Sequence, residues 1–131
     1  MEFATWSPRM LSVLRIMTGL LFLEHGTQKL PLLSASREPG PALFSLLGLQ
    51  GVIEVVGGVL LLIGLFTRPV AFILAGGMAV AYFMRHAPRD FFPLVNGGQL
   101  AILFCFVFLY LFVAGGGAWS VDQQRARSRS G

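Results

Sequence analysis

Residues 15–29 of the sequence read RIMTGLLFLEHGTQK, an apolar stretch that carries basic residues near both of its ends. At about 100° of rotation per residue in a helix, Arg15, His25 and Lys29 fall on one face, together with Thr18 and Phe22. Charge in hydrocarbon costs several kcal/mol, so this face must meet protein, water or a bound molecule. The stretch therefore predicts a membrane-spanning helix with one polar face turned away from lipid.

The composition of the whole chain is typical of an integral membrane protein. Of its 131 residues, 55% are hydrophobic and 12% are charged, whereas about 25% are charged in a soluble domain. The basic residues are scattered, with a cluster only near the C-terminus, which fits anionic headgroups better than a nucleic-acid surface. We therefore expect the lipid bilayer as a partner and no nucleic acid. The single cysteine, Cys105, excludes an intramolecular disulfide and dithiol chemistry within this chain.

Apolar runs separated by turn signals predict one domain, an all-α bundle of four transmembrane helices. The spans cover about residues 9–28, 42–66, 69–86 and 96–114, followed by a disordered tail at about 120–131. Four spans place both termini on the same side of the membrane. A small excess of basic residues on that side favours a cell membrane location with both termini in the cytoplasm.

Glu54 is the only charge in the second span and is the expected counter-charge of Arg15. Two interpretations stay open. One is a buried ion pair that fixes the packing of the first two spans. The other is an electrostatic floor beneath a pocket that holds a quinone carbonyl or a proton. Gln50 lies one helical turn from Glu54 and shares its face.

Further polar residues are expected to converge at the outer end of the bundle. His25 and His86 are interfacial residues or a proton-exchange pair, and a haem or metal site built on them is disfavoured. Lys29 either snorkels to the interface or attracts an anion. Asn96 and Gln99 are predicted to cap the fourth span or to bond across helices.

Small and aromatic residues add two packing predictions. The glycine pairs, including Gly76-Gly77, predict close helix approach in lipid. The phenylalanines of the fourth span lie around the whole helix and are predicted to face lipid (Phe104, Phe106, Phe108 and Phe112).

Four motifs follow one another along the chain. They are R-x3-G-x2-F-x2-H-G-x2-K, E-x2-G-G-x5-G-x2-T-R, F-x-P-x2-N-G-G-Q and G-x-W-S-V-D, and they begin at residues 15, 54, 91 and 117. In order and spacing they resemble the DoxX family of small four-span bacterial and archaeal membrane proteins. Members of that family often have glutamate where this chain has Gln99, so this chain lacks one carboxylate of that pattern.

The resemblance implies a membrane subunit of a quinone-linked oxidoreductase or of a redox-stress defence system. In this interpretation the bundle binds quinone or a similar amphiphile, and a soluble partner protein carries the redox cofactor. The expected catalytic residues are Glu54 and His25, the expected ligand-binding residues are Arg15, Lys29, Gln50, His86, Asn96 and Gln99, and no metal is expected. The alternatives are a non-enzymatic adaptor that recruits soluble redox enzymes, and a small lipid-binding or transport bundle. A homo-oligomer is compatible with each of them.

Overall fold

The computed structural model describes residues 2–28 and 45–131, and every regular element in that part of the chain is helical. The helices are α1 (Phe3–Thr27), α2 (Leu46–Ile63), α3 (Thr67–Ala81), α4 (Pro93–Asn96), α5 (Gln99–Ala114) and α6 (Val121–Ser130). A π-helical turn, Tyr82–His86, continues α3. The predicted all-α class is thereby confirmed. The long helices begin and end a few residues away from the predicted spans.

Local chemistry sets the ends of α2. Its first turn is capped by Ser45, whose side chain accepts a hydrogen bond from the Gly48 N–H at 3.1 Å. The helix ends at Gly64, which has φ +73°, a left-handed conformation that favours glycine. Only Leu65 and Phe66 separate this residue from α3, so α2 and α3 form a tight antiparallel hairpin.

The bundle consists of two closely packed helix pairs, α1 with α2 and α3 with α5, which α2 and α3 join. Glycines bring the backbones of α1 and α2 together. A Cβ atom on Gly26 would lie 2.9 Å from the Cβ of Glu54, and one on Gly19 would lie 3.1 Å from the Leu62 nitrogen. These glycines therefore make the close approach that small residues permit between membrane helices.

An aromatic cluster joins α1 to α5 at the centre of the bundle. The Phe22 ring lies 5.4 Å from that of Phe104 and 4.9 Å from that of Phe108, edge to face in both cases. The prediction that all four phenylalanines of α5 face lipid is therefore wrong for two of them. Residues 104 and 108 are one helical turn apart and share the inward face, while Phe106 and Phe112 are exposed.

The outward surface of the helices is apolar, and several polar side chains lie inside. Buried polar residues are Ser12, Arg15, Thr18, Glu54, Thr67, Asn96 and Ser120. Exposed apolar residues on the four long helices include Met17, Leu21, Val56, Ile63, Phe72, Ile73, Val80, Leu103, Phe106 and Val113. A surface this apolar is a site of membrane or protein interaction.

One helical segment of the described chain, Thr67–His86, is long and apolar enough to cross a membrane, with 20 residues. The apolar helices Gly48–Ile63 and Gln99–Ala114 are shorter. Helix α1 has an apolar outer surface but contains Arg15 and Glu24.

The predicted disordered tail is instead helical, because two side chains fix its start. Ser120 Oγ accepts a hydrogen bond from the Gln123 N–H at 3.1 Å and caps α6. The carboxylate of Asp122 accepts hydrogen bonds from the N–H groups of Phe66 and Thr67, at 2.8 and 2.9 Å. The C-terminal helix is thus attached to the start of α3.

Candidate functional site

A cavity of about 310 Å³ lies between α2 and α3, and we call it the Glu54 cavity. Its polar lining consists of Gln50, Glu54 and Arg85, and the rest of its lining is almost wholly apolar. Glu54 is only 2% exposed. Its Oε1 accepts a hydrogen bond from the Gln50 side-chain amide at 3.0 Å, so the predicted sharing of one helix face by these residues is confirmed.

Two glycines of α3 keep this cavity open. Among the described residues, a Cβ atom on Gly76 or on Gly77 would have no neighbouring atom within 4 Å, and both residues line the cavity. The prediction that this pair marks close helix packing is therefore wrong. Glycine at these positions leaves space in the cavity lining that a larger residue would fill.

The cavity borders the apolar outer surface of the bundle. Ile53, Ile73 and Met84 are exposed and also line the cavity. The buried carboxylate of Glu54 thus lies in a space that reaches the apolar surface between α2 and α3. Such a mostly apolar space with a few polar groups is typical of small-molecule sites.

His25 lies in a different place from Glu54. It lines a separate opening of about 360 Å³ with Glu24, Gln28 and Phe104, and its ring lies 5.9 Å from the Phe104 ring. The expected catalytic pair of Glu54 and His25 therefore does not share one cavity. Helical rotation explains the separation, because the next residue, Gly26, is the one that packs against Glu54.

His86 and Asn96 belong to a hydrogen-bonded turn between the π-helical turn and α5. His86 Nδ1 lies 3.1 Å from the Asn96 carbonyl oxygen, which can only accept, so Nδ1 carries the donated proton. The Asn96 amide donates to the Tyr82 hydroxyl at 3.2 Å and to the Asp90 carbonyl at 3.0 Å. Its Oδ1 accepts from the Gly98 N–H at 2.8 Å, immediately before α5. These contacts give Asn96 a structural role in the turn.

Gln99, another predicted ligand-binding residue, does not line the Glu54 cavity. Gln99 is exposed at the first position of α5, and Lys29 lies outside the described residues. Within residues 2–28 and 45–131, no group of three or more His, Cys, Asp or Glu side chains is placed to hold a metal ion. The polar residues at this end of the bundle thus lie in three separate places. These are the Glu54 cavity, the opening beside His25 and the turn that contains His86 and Asn96.

Arg15 is buried at the opposite end, with 1% of its surface exposed. Its guanidinium donates hydrogen bonds to the carbonyl oxygens of Gly116 and, at 2.9 Å, Trp119. Ser12 lies one helical turn before it, donates to the same Gly116 carbonyl at 3.1 Å and accepts from the Trp119 N–H at 2.9 Å. We call these four residues and Asp122 the terminal cluster.

The structure corrects the expected pairing of Arg15 with Glu54. The guanidinium of Arg15 lies beside Gly64, at the end of α2. Glu54 packs against Gly26, which lies eleven residues beyond Arg15 on α1, or about 16 Å along the helix axis. Asp122 is the acid that interacts electrostatically with Arg15. Arg15 therefore holds the C-terminal segment and lies far from the Glu54 cavity.

Arg85 also lines the Glu54 cavity, although it was not among the predicted site residues. Gly77, Ala81 and Arg85 follow one another at four-residue intervals, which places them along one face of a helix. That spacing was the signal in the sequence. The carbonyl partners of Arg15 gave no comparable signal, since main-chain acceptors are common to every residue.

Comparison with known proteins agrees with the motifs. The DoxX family model matches residues 10–87. An uncharacterized protein of Haemophilus influenzae is 42% identical over 124 residues, which cover 91% of this chain and 92% of that protein. An uncharacterized membrane protein of Mycobacterium tuberculosis is 26% identical over 133 residues, 87% of this chain and 80% of that protein. No solved structure is significantly similar to this chain.

The family match covers more than half of the chain and includes α2, α3 and most of α1. It contains Arg15, Glu54 and the glycines that line the Glu54 cavity. The relative from H. influenzae extends the similarity over nearly the full length of both proteins. This chain therefore belongs to the DoxX family of membrane proteins.

Proposed function

We propose that this protein is the membrane subunit of a quinone-linked oxidoreductase or redox-stress defence system, and that its Glu54 cavity binds quinone or a similar amphiphile. One observation carries the proposal: a buried carboxylate, hydrogen-bonded to Gln50, lines with Arg85 a mostly apolar cavity that borders the outer surface of the bundle. A quinone has the matching form, a polar ring attached to an apolar tail.

The three polar residues of the cavity suit the parts of quinone reduction that a protein must supply. The Gln50 amide and the Arg85 guanidinium are donors for a quinone carbonyl oxygen. Glu54 is placed to transfer protons to the ring oxygens. Reduction to the quinol consumes protons and electrons in equal number, and a soluble partner protein with its own redox cofactor supplies the electrons. His25, which lies outside the cavity, has no direct role in this scheme.

The proposal includes a four-span arrangement in the cell membrane, formed by α1, α2, α3 and α5. Helix α5, at 16 residues, is about 24 Å long and short for about 30 Å of hydrocarbon. Local thinning of the bilayer and the adjoining segments would make up the difference. The end with α6 carries five arginines, Arg9, Arg68, Arg125, Arg127 and Arg129, which favours a cytoplasmic location for it.

Binding of decylubiquinone to the purified protein in lipid nanodiscs, measured by equilibrium dialysis, tests the cavity. Gly77→Leu fills the space beside Glu54 and should abolish binding, while the helix tolerates leucine better than glycine. Arg85→Gln should weaken binding about tenfold, the effect of losing one charged hydrogen bond to a quinone carbonyl oxygen. Val113→Leu, on the exposed face of α5, is the matched control and should bind as the natural protein does.

Two results would contradict the assignment. If Gly77→Leu and Arg85→Gln both bind decylubiquinone with unchanged affinity, the ligand occupies another part of the bundle. If the natural protein binds no decylubiquinone although its thermal unfolding is cooperative, the Glu54 cavity does not take a quinone.

A further inference from the structure

A second and larger cavity, of about 690 Å³, lies at the opposite end of the bundle from the Glu54 cavity. It is enclosed by the start of α3, by the glycine-rich residues 115–117 and by α6. We call it the α3–α6 cavity. Its charged lining residues are Arg68, Asp122 and Arg127, and none of them has a part in the proposed quinone site.

The charge of this cavity is net positive. Arg68 extends beside Gly115, where a Cβ atom would lie 3.4 Å from its Nη2. Gly115 has φ +87°, a conformation that a residue with a side chain would adopt only with strain. Both carboxylate oxygens of Asp122 already accept hydrogen bonds from the N–H groups at the start of α3. Two guanidinium groups therefore line the cavity with one carboxylate, each of whose oxygens already accepts a hydrogen bond.

Thr67 supplies an independent indication of a ligand. It is 0% exposed and lines the α3–α6 cavity, and its Oγ1 has no hydrogen-bond partner in the part of the chain that the structure describes. This hydroxyl lies against Gly116, another lining residue, since a Cβ atom there would lie 2.9 Å from it. Buried hydroxyls are nearly always hydrogen-bonded, so a bound acceptor would complete this one.

Apolar residues next to the arginines distinguish the ligand class. Leu11, Phe66, Pro69 and Ala114 share the lining of the cavity, and Phe66 is exposed at its edge. In the proposed four-span arrangement, this position is the level at which lipid headgroups meet acyl chains. A free anion would contact only the arginines of the cavity. A phospholipid would contact the arginines with its phosphate and the apolar lining residues with its acyl chains.

We propose that the α3–α6 cavity binds one anionic phospholipid, with its phosphate between Arg68 and Arg127 and near the Thr67 hydroxyl. Guanidinium groups bind phosphate oxygens through pairs of charged hydrogen bonds. The acyl chains then lie along Leu11 and Phe66 toward the outer surface of the bundle. This site is separate from the proposed quinone site, so either proposal can fail without the other.

Native mass spectrometry of the full chain in detergent, titrated with phosphatidylglycerol, tests the site. We expect one phosphatidylglycerol to bind, and Arg127→Gln and Arg68→Gln to weaken that binding about tenfold each, through loss of a charged hydrogen bond. Arg129→Gln removes the same charge from the same helix outside the cavity and should have little effect. Thr67→Val, which keeps the shape of the side chain, should also weaken binding.

Three outcomes would overturn the proposal. Equal losses in Arg129→Gln and Arg127→Gln would mean that the general charge of α6, and not the cavity, attracts the lipid. Inorganic phosphate that competes with phosphatidylglycerol at similar concentrations would show that the site recognises a free anion. Arg127 is exposed, so the fold should tolerate Arg127→Gln. Unchanged lipid binding in this variant would show that no phosphate lies beside Arg127.

Discussion

One buried charged residue lies at each end of the α1–α2 pair, Arg15 in the terminal cluster and Glu54 in the Glu54 cavity. The surroundings of the two residues differ. At the terminal cluster, main-chain carbonyl groups surround the Arg15 guanidinium, and residues 116–122 close over it. At the other end, Glu54 shares a hydrogen bond with Gln50 at the edge of an open cavity. The first arrangement stabilises the fold, and the second leaves room for a ligand.

This difference is also visible in the glycines at the two ends. Near Arg15, neighbouring atoms occupy the space that a side chain on glycine would need. A Cβ atom on Gly64 would lie only 2.6 Å from the Arg15 Nη1. At the Glu54 end, Gly26 packs against Glu54, but a Cβ atom on Gly76 or Gly77 would meet no atom of the described residues within 4 Å. Glycine thus serves tight packing at Gly64 and leaves cavity space at Gly76 and Gly77. Three substitutions test the contrast.

The largest effect is expected from Arg15→Met. The substitution removes two charged hydrogen bonds in the terminal cluster, each with a main-chain carbonyl, at a cost of about 3 kcal/mol of stability. The thermal unfolding midpoint in detergent should fall by on the order of 10 °C, and trypsin should cleave α6 at its arginines more readily. Arg9→Met, which removes a half-exposed arginine over the Trp6 ring, should change the midpoint little. An unchanged midpoint in Arg15→Met would show that the terminal cluster is not structural.

An intermediate effect is expected from Gly64→Ala. Its positive φ is unfavourable for alanine, and the added methyl group would meet the Arg15 guanidinium. We expect a loss of about 2 kcal/mol, measured by thermal unfolding. Gly76→Ala is the matched substitution at the Glu54 cavity, and it should be neutral or slightly stabilising because alanine favours helix. Equal losses at the two positions would contradict the contrast between the two ends.

The smallest effect is expected from Asp122→Asn. Asp122 uses both oxygens to accept hydrogen bonds from the start of α3, whereas an asparagine side chain has only one acceptor oxygen. The expected loss is about 1 kcal/mol. Asp90 accepts one hydrogen bond, from the Phe92 N–H at 3.0 Å. The Asp90→Asn variant should keep this hydrogen bond and unfold at nearly the same temperature as the natural protein. If thermal unfolding shows a greater loss in Asp90→Asn, then α6 does not depend on the Asp122 bonds.

Helical periodicity predicted the features that depend on one helix alone. The inward face of α1 is buried at Arg15, Thr18 and Phe22, as the rotation of about 100° per residue requires. The pairing of Gln50 with Glu54 also followed from their spacing. These predictions succeeded because residues one turn apart on a helix meet without any knowledge of the rest of the fold.

The partners across the bundle could not be predicted in this way. Charge complementarity suggested Glu54 for Arg15, but the actual acceptors are carbonyl groups more than a hundred residues further along the chain. The glycine pair at residues 76–77 has the same composition as a packed pair, and only its neighbours show that it lines a cavity. The order of α6 depends on contacts with α3, while its own sequence is polar and typical of a disordered tail.

The long sequence separation of the Arg15 contacts has a consequence for biosynthesis. The ribosome releases α1 early, but Gly116 and Trp119 emerge 101 and 104 residues after Arg15. Until then, the cationic side chain of Arg15 lacks these native acceptors. The contacts that bury it therefore form only when the last segment of the chain has been translated. A truncated product that lacks this segment would leave the Arg15 guanidinium without them.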